Sequence, residues 1–272
     1  MNPLQKYFRQ PKIYIQLPSK GNYYPEGTLT GDYENFPIFA MTGSDELLMK
    51  TPDALFNGES SVKLIESCCP YITNAKNVPS IDIDTILAAI RIATHGDDLT
   101  FTHTCSKCQS IGDYTISTQL IIDHYSNLQF ENIVQIDDLT IMLRPLNYGE
   151  MTRFNMEHFV LKKMLNQLLL IEGLEERQVQ LDEIYQKMAL IQAAIFVSSV
   201  DSIQIQNSEI VTNGEHIAEW LGNCDAKYYD SIRNKLENNK EIWKVPSSKV
   251  SCSDCENEDD VEIKLDQSDF FV

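Results

Sequence analysis

The chain has 272 residues, 43% of them hydrophobic, enough to bury a substantial core in one elaborate domain or two. Its 40 Asp and Glu against 22 Lys and Arg leave a formal net charge of −18, which argues against a nucleic-acid backbone as the main partner, because that affinity comes largely from basic side chains displacing counterions. No apolar run approaches the roughly 18 residues of a membrane span, and the opening Met-Asn-Pro-Leu-Gln-Lys lacks the apolar core of a signal peptide, so a soluble protein made in the cytoplasm is expected.

The first segment reads as extended. Ile13, Ile15 and Leu17 alternate with Tyr14 and Gln16 until Pro18 stops the strand, and Gly21 and Gly27 mark turns. Such an arm pairs with its own sheet or lends a strand to another subunit. From Ser44, a candidate N-cap before Leu47 and Leu48, the pattern turns helical. Thr51 and Pro52 restart a helix through Leu55, and Ser60 begins another carrying Val62, Ile65 and Cys69 up to Pro70. After Pro79, Ile83, Ile86, Leu87, Ile90 and Ala93 recur at helical spacing until Gly96, and the chain is expected to pass straight to Cys105.

Cys105 and Cys108 form a Cys-x-x-Cys knuckle, followed by Tyr114, Ile116 and Thr118 alternating with polar neighbours. Leu139, Ile141 and Leu143 then read as a strand ended by Pro145. Met151, Phe154, His158, Leu161, Leu165 and Leu168 make one helical seam. Leu181, Ile184, Met188, Ile191 and Ile195 make a second, and with Gly173 between them the pair predicts an antiparallel helical hairpin packed within one domain. Thr212 or Asn213 caps a helix with Ile217, Trp220 and Leu221, and Ala226 to Leu236 supplies one more. Trp243, Val245 and Val250 return the chain to a second knuckle, Cys252 and Cys255, after which Val261, Ile263 and Leu265 alternate again.

The two knuckles read as halves of one structural zinc site, one Zn2+ per chain, with Cys105, Cys108, Cys252 and Cys255 as ligands. A Cys-x-x-Cys turn converges two thiolates on one edge of a tetrahedron, and two such turns close the shell with no open position. The gap of about 140 residues far exceeds the roughly 15 to 20 of the compact motif, so two unrelated surface turns and a redox pair stay open. The redox reading is the poorer one, since a catalytic pair usually has a helix N-terminus behind its first sulfur and both pairs here run into β-like sequence. Four thiolates on one zinc leave the site net negative, which places Lys107, Lys249 or Lys264 nearby. Cys68, Cys69 and Cys224 are read as buried small apolar residues.

The predicted fold class is α+β, mainly helical, with a split four-cysteine zinc-ribbon-like β unit and an extended N-terminal arm. The expected parts are residues 1–98, an arm and helical region; 99–123 plus 243–272, the split ribbon-like unit; and 124–242, a strand and helical insertion whose base the zinc site clasps. Near the C-terminus Asp254, Glu256, Glu258, Asp259, Asp260, Glu262, Asp266 and Asp269 face only Lys264. This reads as a solvated hairpin before a docking surface, although Phe270, Phe271 and Val272 have reason to tuck into this protein or a neighbour.

Enzyme motifs are missing: no Gly-rich phosphate loop, no His-Glu-x-x-His and no Gly-x-Ser-x-Gly. His95 and His103 approach Cys105, but four cysteines already fill the shell, so both are read as structural or surface residues. No catalytic residue is assigned, and a non-enzymatic protein is expected.

Three stretches carry a resemblance. They are Lys12 to Gly21 with Tyr23-Tyr24; Met41-Thr42, Asp45-Glu46 and Lys50 to Leu55 with Asn57-Gly58-Glu59; and Asp84 with Ile90 to Ala93, Gly96 and Cys105 to Cys108. Together these resemble the N-terminal region of the T4-type (contractile-tailed) bacteriophage baseplate hub protein family. The resemblance implies a virion component of the tail baseplate, assembled in the host cytoplasm, whose partners are other hub and tail proteins and which is a possible homo-oligomer. A hub assembly chaperone not retained in the virion is the alternative. A zinc-ribbon nucleic-acid regulator would instead need a basic face around Lys107, Lys162, Lys163 and Arg177, and a thiol-redox or zinc enzyme would need an accessible low-pKa thiol or an open shell.

Overall fold

A computed structural model describes residues 3–50, 58–168, 174–206, 208–263 and 270–271. It is a mixed α+β structure in two compact units, residues 1–129 with 243–272 and residues 130–242.

The first unit is organised by one helix. Helix α3 (Ser80–His95) follows helices α1 (Gly43–Met49) and α2 (Glu59–Cys68). Its run from Ile81 to Arg91 is buried on nearly every side, as expected of a helix too apolar to present a wet face. It starts after Pro79 and stops at Gly96, whose φ of 90° breaks the helical path. Strands β1 (Pro11–Ile15) and β2 (Phe36–Phe39) pair antiparallel and pack on this helix. The N-terminal segment therefore pairs within its own chain, with Ile15 and Leu17 in the core. Asp82 fixes the turn that follows. Fully buried, it accepts hydrogen bonds from Ser19 N (2.7 Å), Ser19 Oγ (2.6 Å) and Tyr24 Oη (2.8 Å), and burial raises its carboxyl to about 6.

Several sequence expectations shift here. The first helix is capped by Thr42 and not Ser44: Thr42 and Asp45 form a reciprocal capping box, leaving Ser44 inside the first turn. The next helix begins after Gly58, at φ 73°, which buries Ser60 within it. The helix expected over Thr51 to Leu55 lies outside the described residues. Between Gly96 and Cys105 the chain forms a strand, β3 (Asp98–Thr104), paired with β4 (Ile111–Ser117). Thr118 is not in a strand; it is buried at the start of helix α4 (Gln119–Ser126). At the C-terminus, Phe270 and Phe271 are buried, and the Arg91 guanidinium lies 5.7 Å from the Phe270 ring centre. The apolar end thus tucks into its own chain.

In the second unit a four-stranded antiparallel sheet has the order β5-β6-β7-β8: β5 (Ile133–Ile136), β6 (Leu139–Leu143), β7 (Val200–Ile205) and β8 (Ile210–Val211). Helices α5 (Tyr148–Leu168) and α6 (Leu174–Ser199) pack against each other. Their predicted seam buries Phe154, Leu161 and Ile184 and leaves His158 exposed. Helices α7 (Gly214–Asn223) and α8 (Ala226–Ile242) contribute Ile217 and Ile232 to a core with Val134, Ile141, Leu143, Phe196, Val200 and Ile203. Asn213 caps α7, accepting from the Glu215 and His216 amides. The Asn239 side chain bonds both the N–H (2.9 Å) and the C=O (2.8 Å) of Glu131, satisfying a buried amide at the end of α8 as a neighbouring strand would.

Candidate metal centre

The four cysteines of the two knuckles sit in the turns of two antiparallel hairpins, β3–β4 and β9 (Ser247–Ser251) with β10 (Glu258–Glu262). The two turns have the same backbone. Cys105 N donates to Ser110 O (2.9 Å) and Gln109 N to Cys105 O (3.0 Å), while Cys252 N donates to Asn257 O (2.9 Å) and Glu256 N to Cys252 O (2.9 Å). At the same point in each, Gln109 (φ 60°) and Glu256 (φ 56°) enter the left-handed region, a conformation ordinarily given to glycine. This turn aims both sulfurs of a Cys-x-x-Cys to one side.

The hairpins bring the sulfurs together in crossed pairs. Cys105 Sγ lies 3.7 Å from Cys255 Sγ and Cys108 Sγ lies 3.6 Å from Cys252 Sγ, and all four ligand atoms fall within 4.8 Å of one another. A tetrahedral ion with Zn–S bonds of about 2.3 Å requires sulfur–sulfur edges of about 3.8 Å. The donor set therefore fits a closed four-thiolate site and could hold a metal ion. Cys105 and Cys252 are buried, Cys255 is half-buried and Cys108 is exposed.

The local field favours the Cys252 thiolate over that of Cys108. Backbone amides of Asp254 and Cys255 pull the Cys252 thiol down to about 7. At Cys108 the Ser110 amide also pulls down, but the crowded thiols of Cys255, Cys105 and Cys252, together with desolvation, push it up to about 12. Four thiols this close cannot all ionise without a cation among them.

Two carboxylates, Asp259 and Asp254, are hydrogen-bonded to the first knuckle. Asp259 Oδ2 accepts from Ser106 N (2.9 Å) and pairs with His103 Nε2 (3.1 Å), while its Oδ1 accepts from Ser106 Oγ (2.5 Å) and Asn257 Nδ2 (2.8 Å). The Ser106 hydroxyl, the Ser106 amide and His103 hold the Asp259 carboxyl down at about 2. Asp254 Oδ2 accepts from Ser110 Oγ. His103 is thus bound to Asp259, with its ring edge on Tyr114.

Of the expected lysines, Lys249 lies opposite Asp260 in the hairpin, and Lys264 is outside the described residues. Sequence reading missed Asp259 by treating the acidic run as uniformly solvated. The signal was its period of two, for Glu258, Asp260 and Glu262 point out while Asp259 and Val261 are partly buried.

The remaining cysteines are separate. Cys68 and Cys69 are fully buried, and burial raises both thiols, Cys68 to about 12. Cys224, expected to be buried, is half-buried at the end of α7. Of the residues proposed for a basic face, Lys107 belongs to the first unit and Lys162, Lys163 and Arg177 to the second. Among the described residues, no helix is long and apolar enough to cross a membrane.

Fold and site together define an α+β protein in which two distant hairpins meet at a four-cysteine cluster able to hold a metal ion. The family model for the T4 bacteriophage base plate protein matches residues 4–272, and the chain belongs to that family. The match reaches well past the first 120 or so residues that carry the resemblance in the sequence. A search of curated proteins and one of solved structures returned no significant match. Membership makes this a structural protein of the phage tail baseplate, a role that implies contact with other baseplate proteins.

Proposed function

We propose that the protein is a non-catalytic subunit of the baseplate hub, and that Cys105, Cys108, Cys252 and Cys255 hold one structural Zn2+. The observation that carries the metal reading is the convergence of four thiols, from hairpins about 150 residues apart, at the edge lengths of a tetrahedral thiolate site. Bound zinc supplies a cross-link and offers no position to a substrate, because protein sulfur fills the shell. We read the hairpin segments of residues 99–123 and 243–272 as one split zinc-ribbon-like unit that fixes the ends of the insertion between them. An ion here offsets the chain entropy of closing so long a loop.

The same geometry argues against the redox reading. Each Cys-x-x-Cys lies in a hairpin turn, and the one first thiol that backbone amides pull down, Cys252, is buried among the other sulfurs, whereas a redox pair needs an accessible low-pKa thiol. Family membership supports the baseplate part of this reading, the resemblance of the stretches within residues 12–108 supports the hub part, and a closed four-thiol cluster is physically consistent with both.

The test is elemental analysis of the protein purified under reducing conditions, together with co-purification against hub proteins from the same genome. One zinc per chain and a stable complex retained in the finished particle is the expected result. Absence of metal removes the zinc reading, and a complex lost before particle maturation transfers the assignment to an assembly chaperone.

A further inference from the structure

We infer that Asp259 is a positioning residue: it latches the second hairpin onto the first knuckle through Ser106, so that the four thiols are held in register before any ion arrives. The latch stands on geometry alone, whereas its consequence for metal affinity rests on the reading proposed above.

Three observations support it. First, Asp259 grips both the amide and the hydroxyl of Ser106, the residue directly after ligand Cys105. A carboxylate bound to N–H and O–H of one residue fixes that residue's backbone as well as its side chain. Second, the grip is itself braced. His103 from β3 and Asn257 from the second turn meet the same carboxylate, whose side chain is only 12% exposed, and Asn257 also reaches Ser106 Oγ (3.3 Å). Third, the polarity is consistent: in the two carboxylate links between the knuckles, the first knuckle donates and the second accepts. Ser106 pairs with Asp259 and Ser110 with Asp254, flanking Cys108 and Cys255.

The two turns share one backbone, and each has a serine directly after its first cysteine, Ser106 and Ser253. Asp259 closes on the serine of the opposite turn, which fixes the register in which the knuckles face each other, and an ion then enters a site whose ordering cost has already been met.

The test is residue-resolved hydrogen exchange on the full-length protein after chelation, with the Ser106 amide as the readout, followed by Co2+ and Zn2+ titration. Asp259→Ala is expected to speed Ser106 exchange by about tenfold or more in the metal-free protein. It should weaken metal affinity by about ten- to a hundredfold, with stoichiometry still one ion per chain. Ser106→Ala, which keeps the amide link and loses the hydroxyl, should fall between wild type and Asp259→Ala and guards against a variant that simply misfolds. The latch is wrong if chelation alone brings wild-type Ser106 exchange to the level of Asp259→Ala, or if Asp259→Ala leaves metal-free exchange unchanged. Failure of the wild type to bind metal would defeat the zinc reading, while the exchange comparison would still decide on the latch.

Discussion

Asp82 and Asp259 do the same thing in two regions of the molecule and titrate in opposite directions. Each carboxylate takes the amide and the hydroxyl of one distant serine, Ser19 for Asp82 and Ser106 for Asp259. Asp82 is fully buried in the core helix, and desolvation outweighs its three hydrogen bonds, raising it to about 6. Asp259 sits at the edge of two hairpins beside His103, where the hydrogen bonds outweigh a smaller desolvation and hold it at about 2. Identical local chemistry is thus a core fixture in one place and a surface latch in the other. Solvent access decides which.

This contrast can be broken in several ways. The largest effect is expected at the hairpins: Cys252→Ser should take metal content from one ion per chain to none by elemental analysis, because three remaining thiolates leave the shell open. The Asp82 region, which has no part in that site, should keep its wild-type hydrogen-exchange protection.

Next, Asp82→Ala should destabilise the fold by about 3 kcal/mol in urea denaturation, since it strands the buried Ser19 amide and the Tyr24 hydroxyl without an acceptor. Asp259→Ala in metal-free protein should cost far less global stability, its donors being free to reach water.

The pH dependence sharpens the comparison further. Folded Asp82 titrates near 6 against an unfolded value of 3.8. Between those values the folded state holds a proton that the unfolded state has released, so stability should rise as pH falls from 7 to 4 and decline as pH climbs through 6. The span is up to roughly 3 kcal/mol, and Asp82→Asn should flatten it. Asp259 has the opposite sign. Its contribution is complete above the unfolded value of 3.8 and is lost as pH falls toward 2.

The smallest effect concerns the matched turns. Gln109→Gly and Glu256→Gly should each add about 0.5 to 1 kcal/mol by relieving a left-handed non-glycine residue. Equal gains at the two sites would show that the turns are equivalent in backbone, leaving the difference between them to Ser110, Asp254 and Asp259.

How legible the molecule was in its sequence depended on burial pattern. Helix α3 was readable end to end because Pro79, the apolar spacing and Gly96 are all local signals. Of the strands in the second unit only β6 was readable. Its neighbours β5, β7 and β8 are short, and β7 continues directly from α6, so no turn residue separates the two periods. Strand β3 was overlooked although Leu99, Phe101 and His103 alternate with Thr100, Thr102 and Thr104. Their pattern made sense only once β4 was set beside it.

By itself the sequence determined the local units: the helix over residues 80–95, a cap at Thr212 or Asn213, the two Cys-x-x-Cys turns and the family to which the chain belongs. Those follow from spacing, caps and turn chemistry within a few residues. Tertiary structure alone decided that the N-terminal strand pairs with β2, that Phe270 and Phe271 fold back onto Arg91, and that Asp259 reaches Ser106 across more than 150 residues. The physical reason is that a hydrogen bond or a tetrahedron of sulfurs depends on distance in space, which sequence spacing does not encode.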